Sequence, residues 1–448
     1  EKWITRFPAG WRLSLKDDIS AAMKWLVEDA DFGLFTFRDA TRGLAWLIEQ
    51  PYNLALSILS SGFVEGQGSN AVQILPPLSW IAVLAIVIAA GHFAKDWKLS
   101  LLMGVAFLYL AVFGQWDSAM VTLASIIIAV PFGVSGGLLL GIAAYRWNLV
   151  DQVLKPVLDL MQTIPVFAYL VPILFLFGFG PVSALVATII YAMPPMVRVT
   201  TLALRAVPDE VRDFGMMAGC TKRQLMWKVL VPTAKPDLMV GVNQVIMLSL
   251  NMVIIASMIG AGGLGFDVLA SLRRLDIGAG LEAGIAIVVL AVALDRLSQA
   301  FARPRQSDEE RQRPDNILHR YPRSFIVIAI AVLTLLAGYV LAPLQNYPEG
   351  LQITTGTFWA ELVKTININY FDDLEAVKSF MLSNFMLPVK RFLTGIPWAW
   401  GWVLITAAGW YLGGLRLAQS HGDRLSVRCV CSDRHCDRYS HRPVFRIE

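Results

Sequence analysis

Between Asp213 and Pro232 the chain reads DFGMMAGCTKRQLMWKVLVP, a polar and basic island set between long apolar runs. Its residue types suit a shaped knob better than a reaction centre. Asp213 is expected to open a short helix, and Gly219, six positions on, supplies the backbone freedom to reverse the chain. Pro232, thirteen positions further, is expected with Pro236 to stop a second helix carrying the aliphatic Val229 and Val231. Upstream, Pro208, Asp209 and Glu210 put fixed φ and negative charge where a helix start favours them. No paired carboxylates, nucleophile triad or HExxH pattern accompanies the island. The GAGGLG run at 260–265 has neither the Lys and Ser/Thr nor the βαβ setting of a phosphate loop, so it reads as a tight turn for close helix packing. Enzymatic chemistry and nucleotide binding are therefore not expected of this chain, and neither is a metal site.

The elements that must hold the island are membrane helices. Hydrophobic residues make up 56% of the chain, charged residues only 16%, and the mean hydropathy is +0.56, outside the soluble globular range. Apolar runs long enough for about 30 Å of hydrocarbon occur near 76–92, 98–114, 117–145, 153–179, 181–197, 236–258, 281–299, 323–343 and 397–414. Backbone groups in lipid must be satisfied within the segment, and the period-2 pattern of a barrel is absent, so the expected fold class is an all-α polytopic membrane protein. The net charge of +4 needs no nucleic acid to explain it, because the basic residues gather in turns that the positive-inside rule places in the cytoplasm. Those turns are 198–235, 302–323 with its six arginines, the Arg146 turn and the Lys95 and Lys98 turn; residues 1–75, 261–280 and 344–395 then lie outside. No apolar stretch of signal-peptide type follows Glu1, so the leading tail is expected to be exported by the first span unless the true start lies upstream.

Polar side chains within spans are candidates for a transport path, since lipid penalises them. They are Gln162, Thr163 and Tyr169 on the fourth span, Tyr191 on the fifth, and Asn243, Gln244, Ser249 and Asn251 on the sixth. Asn243 and Asn251, eight apart, are expected to share a face. The competing reading is that amides and hydroxyls bond neighbouring helices. Asp159 is expected to pair with Lys155 in a structural role.

A shift of 320 positions aligns Pro77, Trp80, Val83 and Leu84 with Pro397, Trp400, Val403 and Leu404, and an amphipathic stretch precedes each set. The expected organisation is a periplasmic amphipathic tail at 1–75, a transmembrane domain at 76–300 with a cytoplasmic loop at 198–235, a linker and extra helix at 301–343, and a partial second copy at 344–418. Residues 419–448 are a basic, cysteine- and histidine-rich tail whose composition departs from everything before it. Cys429, Cys431 and Cys436 fit no zinc spacing, and the tail reads as out-of-frame sequence or a solvated basic segment.

The island spacing, with LDLMQTIPVFAYLVPILFLFGFGP before it and GVNQVIMLSLNMVIIASMIGAGGLG and RRLDIGAGLEAGIAIVVLAVALDRLSQ after it, resembles the permease subunit of the glycine betaine and proline betaine importers and of their choline and trimethylamine N-oxide relatives. The resemblance covers residues 76–300 and implies a MetI-like type I ABC importer core. The island then matches the "EAA" loop that grips the ATPase, with Asp213, Phe214 and Gly215 in place of the glutamate and two alanines, and with Gly219, Val229, Val231 and Pro232 completing it. The resemblance further implies a cytoplasmic ATPase subunit that binds ATP and Mg, a periplasmic substrate-binding protein, a second permease copy as homodimer or tandem, and the bacterial inner membrane. Permeases for methionine, sulfonates or oxyanions stay open as alternatives. An ion-coupled secondary transporter would call for intramembrane acids, of which the spans hold almost none.

Overall fold

The computed structural model describes residues 15–30, 36–65, 72–257, 259–302 and 342–413, with a few positions between 329 and 334. The expected extra helix at 323–343 and the tail at 419–448 lie outside these residues. The chain divides into two units, Ala22–Thr365 and a second made of Glu1–Ala21 with Ile366–Glu448.

In order, the helices of the first part are α1 (Leu15–Glu28), α2 (Phe37–Leu56), α3 (Trp80–Ala94), α4 (Trp97–Val112), α5 (Trp116–Arg146), α6 (Asn148–Thr163), α7 (Val166–Phe177) and α8 (Pro181–Ala206). Then come α9 (Asp209–Met217), α10 (Lys222–Gln224), a π-helical segment Leu225–Leu230, α11 (Val231–Thr233), α12 (Lys235–Ser257), α13 (Leu264–Arg274) and α14 (Ile277–Ala302). A two-stranded antiparallel ribbon, β1 (Phe63–Glu65) and β2 (Val72–Leu75), pairs Val64 with Gln73 and Glu65 with Val72.

Among the described residues, three single helices are long and apolar enough to cross a membrane: α5, α8 and the Ile277–Phe301 stretch of α14. Helices α3 and α4 are apolar but only 15 and 16 residues long. At 1.5 Å per residue they extend about 23 Å, short of a bilayer core. The expected straight span at 153–179 is instead a broken pair, α6 and α7, bent by 107°. The break is local chemistry: Ile164 precedes Pro165 and adopts φ −68°, ψ 132°, the extended conformation that proline enforces on its predecessor.

The centre of the bundle is α5 against α8, with α12 against α8. Close approach of α5 and α8 requires small residues. A Cβ at Gly141 would meet the Cβ of Thr200 at 2.5 Å and the carbonyl oxygen of Val197 at 2.9 Å. One apolar cluster joins Ala124 and Ala129 of α5, Leu170 of α7, Leu185 of α8 and Met252 of α12. Helix α2, from the expected leading tail, is built into this cluster through Ile48 and Tyr52. Thr36 and Asp39 form its capping box.

At the end of the bundle far from the island, Gly263 lies so close to α5 that a Cβ there would come within 2.5 Å of the Thr122 oxygen, which accepts the Leu264 N–H at 3.0 Å. The GAGGLG run is thus a packing turn. A strap after the undescribed segment also crosses this end, built from α15 (Ala342–Gln345), a 3₁₀ turn Glu349–Leu351 and the start of α16 (Gly356–Asn369). Gln345 donates to the Pro77 carbonyl, Ser79 donates to the Leu344 carbonyl, and the Ile353 N–H meets the Val112 carbonyl at 2.8 Å. The buried carboxylate of Glu282 accepts the Thr355 N–H at 3.1 Å and its hydroxyl at 3.3 Å.

In the second unit, α17 (Phe371–Met381), a π segment Leu382–Met386 and α18 (Leu387–Gly395) lead to α19 (Trp398–Gly413). Helix α19 coincides with the expected apolar run at 397–414.

Candidate coupling island and membrane path

The island folds as two short helical arms. Pro208 caps α9, Asp209 and Glu210 occupy its first turn, and Asp213 therefore sits mid-helix rather than opening it. Gly219 has φ +75° with open space around the position of a Cβ, so glycine is there for its backbone and not for packing. Thr221 then starts the second arm with a capping box: its hydroxyl accepts the Gln224 N–H at 3.3 Å and its own N–H reaches Gln224 Oε1 at 2.9 Å. This arm does not stop at Pro232. The chain stays helical through Thr233, with Pro232 inside the last turn of that run, where it removes one backbone donor, and Pro236 in the first turn of α12, where a missing N–H costs nothing. A turn at Ala234 separates them.

Packing sorts the island residues into two sets. Gly215 is buried, and a Cβ there would lie 2.6 Å from Leu225 Cδ1 and 3.4 Å from Val229 Cγ2, so the arms meet at this glycine. Val229 and Val231 belong to the interior of the island beside buried Leu230, not to its outer face. Asp213 and Phe214 point outward with Met217, whose exposure reaches 82%. Trp227 is exposed on the second arm. These exposed apolar groups make this face a candidate docking surface. Arg212 braces it: one guanidinium nitrogen donates to Tyr145 Oη of α5 at 2.9 Å, another to Asp209 at 3.2 Å. Sequence reasoning missed this brace and Met217. The Phe214, Met217 spacing of three on a polar helix was readable; the link to Tyr145, 67 positions away, was not.

Ion pairs fasten α6 to α8 near the island, in a different pairing from the one expected. Asp159 pairs with Arg198, while Lys155 pairs with Asp151 at 2.9 Å, and Asp151 also takes Arg205 at 2.9 Å.

The path candidates separate. Tyr169 of α7 and Tyr191 of α8 come together edge to face, ring centroids 6.3 Å apart, and the Tyr169 hydroxyl donates to the Met161 carbonyl. Gln162 and Thr163 lie exposed at the α6–α7 break, Thr163 donating to the Leu160 carbonyl at 3.0 Å. Asn243 accepts from Ser298 of α14 at 2.9 Å and so acts as a helix-to-helix bond. Asn251 is exposed; eight residues at 100° each leave it about 80° from Asn243, and the two do not share a face. Gln244 does share one with Asn251, in an exposed stripe that also holds Val240 and Met247. Ser249 is fully buried, and its hydroxyl has no partner among the described residues.

Residues 133–348 match the family of binding-protein-dependent transport system inner membrane components. The glycine betaine/proline betaine transport system permease protein ProW of Escherichia coli is 39% identical over 293 residues, 64% of this chain and 77% of that relative. The chain belongs to this family. Two longer members are similar over more of it. The trimethylamine N-oxide transport system permease protein TmoV of Ruegeria pomeroyi is 37% identical over 428 residues, 93% of this chain, and that of Pelagibacter ubique 36% identical over 394 residues, 85% of this chain. The chain spans 61% and 54% of the lengths of these two family members.

Proposed function

We propose that this chain is the membrane-spanning permease subunit of an ATP-driven, binding-protein-dependent importer for quaternary or tertiary methylated amines: glycine betaine, proline betaine, choline or trimethylamine N-oxide. The observation that carries the reading is the island, whose Gly219 turn and Arg212–Tyr145 brace hold Phe214 and Met217 out from the bundle on a rigid mount. In this reading a cytoplasmic ATPase, which binds the ATP and Mg, receives that apolar face in a groove. Closure of the ATPase on nucleotide moves α8 and α12, the helices that enter and leave the island. A periplasmic binding protein delivers the ligand, and a second permease copy, separate or tandem, completes the path. The greater length of the two TmoV relatives supports the tandem arrangement. Tyr169 and Tyr191 offer aromatic surface to a cation, and Gln244 with Asn251 offers weak polar contacts that do not trap charge.

The test is uptake into proteoliposomes containing this chain, its ATPase and its binding protein. Uptake of at least one of the four methylated amines is expected, dependent on ATP and on the binding protein. Uptake that persists without ATP, or transport restricted to methionine, sulfonates or oxyanions, refutes the proposal.

A further inference from the structure

At the island end of the bundle, the turn between α3 and α4 and the last turns of α14 enclose a cleft of about 210 Å3. Lys95, Lys98 and Arg296 line it together with a single carboxylate, Asp96. None of the three cations forms an ion pair with a described residue, all four pairs there being made by Asp151, Asp159 and Asp209. The nearby Asp295 is engaged by Gln299 at 2.9 Å, and its other oxygen is buried. The cleft is therefore a concave surface with an excess of two positive charges, and its floor is apolar, made by Leu99, Leu102 and Ala300.

What lies beside the cleft selects the occupant. Trp97, 64% exposed, comes between the lining residues Asp96 and Lys98 and is the side-chain type enriched at the headgroup level of a bilayer. From there the surface of α4 continues through exposed Leu101 and Val105, and that of α14 through exposed Val292 and Val288. Lys98, Leu102 and Val105 follow one another at helical spacing, as do Arg296 and Val292, so two of the three cations each head an apolar stripe. A soluble phosphate would account for the cations and leave the stripes without a role. By charge, the Lys95–Lys98 turn belongs to the cytoplasmic side.

We infer that this cleft is a binding site for an anionic phospholipid of the cytoplasmic leaflet, the phosphate held among Lys95, Lys98 and Arg296 and an acyl chain lying along α4 and α14. The site is independent of which solute is carried. Each basic residue at an anionic membrane surface contributes about a fivefold factor in affinity, so the three together amount to a factor on the order of 100.

The experiment is native mass spectrometry of the full chain taken from mixed phosphatidylglycerol and phosphatidylcholine bilayers. The wild type is expected to retain phosphatidylglycerol preferentially. The triple variant Lys95→Gln, Lys98→Gln, Arg296→Gln is expected to lose that preference, while Arg273→Gln, Arg274→Gln on α13 keeps it. Arg296→Gln alone reads an intermediate loss if the triple variant does not fold, and the charge-preserving Lys95→Arg, Lys98→Arg, Arg296→Lys variant retains the lipid. Equal retention by wild type and the charge-removing cleft variants, or equal loss in the α13 control, overturns the site. Displacement of the lipid by inorganic phosphate at millimolar concentration overturns its assignment to lipid.

Discussion

Replacing Gly219 by valine tests whether the island turn is held by backbone conformation. The residue sits at φ +75° with nothing within 4 Å of a would-be Cβ, so the cost of a side chain there begins with the backbone and not with a clash at Cβ. That cost is the intrinsic penalty of left-handed backbone for an L-residue, about 1–2 kcal/mol, with β-branching placing valine at or above the upper limit. Asparagine tolerates the same conformation, so Gly219→Asn should lose a fraction of that amount. At 2 kcal/mol the native turn is disfavoured about 30-fold relative to the alternatives. Because the arms also meet at Gly215 and at the Arg212 brace, the bundle should survive while the knob loses its single orientation. The assay pairs expression and thermal unfolding of the purified variants with ATP-dependent uptake and ATPase association. Normal insertion with sharply reduced coupling is expected for valine, and near-normal coupling for asparagine. Wild-type uptake by a well-expressed Gly219→Val protein, or an asparagine variant as impaired as valine, refutes the reasoning.

Gly215→Ala should be nearly neutral, because the added Cβ crowds only the far end of the flexible Leu225 side chain and meets Val229 at ordinary contact distance, and unchanged thermal stability checks it. Gly141→Ala should behave oppositely: its Cβ meets backbone-anchored atoms of α8, an overpacking cost of about 1–3 kcal/mol, read as a lowered midpoint of thermal unfolding. Met217→Ala combined with Phe214→Ala should weaken ATPase association about tenfold or more while leaving thermal stability unchanged, since both side chains are exposed in the isolated subunit. Glu282→Ala should free the strap, leaving the Thr355 N–H and hydroxyl without their acceptor, and limited proteolysis between 342 and 356 reports it. Reporter fusions at Thr221 and Tyr347 should give cytoplasmic and periplasmic signals respectively; a cytoplasmic signal at Tyr347 contradicts the topology.

Apolar run length was enough to locate α3, α4, α5, α8, α12, α14 and α19 as helices, because backbone groups in an apolar run must be satisfied within it. It failed at 153–179, where continuous hydrophobicity masked the Ile164–Pro165 break; there the proline rule carried the information and hydropathy did not. The island was legible as two arms and a glycine turn, since Gly219 and the Thr221–Gln224 box are local signals. Of the two helix starts read there, the one at Pro208 to Glu210 is where the helix begins, and Asp213, one turn further on, falls inside it. Which polar residue faces which neighbour was not legible at all. Asn243 and Gln244 are adjacent in sequence, yet one bonds α14 and the other is exposed, a choice set by tertiary packing. The Asp159–Arg198 and Asp151–Arg205 pairs, 39 and 54 residues apart, were equally hidden behind the nearer Lys155.

The contact between the outer ends of α8 and α12 has a mechanical consequence. Gly180 and Gly260 stand against one another, and the Gly180 N–H reaches the Ile259 carbonyl at 3.0 Å. The opposite ends of the same two helices run directly into the island. Helix α8, 26 residues and so about 39 Å long, packs along the glycine face of α5, and Pro194 and Pro195 interrupt its own hydrogen-bond ladder midway. In the proposed coupling the two helices, joined at a glycine contact at one tip and moved by the ATPase at the other, would work as a pair of tongs whose α8 arm can flex at Pro194 and Pro195. A few ångströms of travel at the driven tips fade to almost none at the fulcrum, so gating amplitude should fall steadily with distance from the island, and the outer glycine joint should bend without sliding.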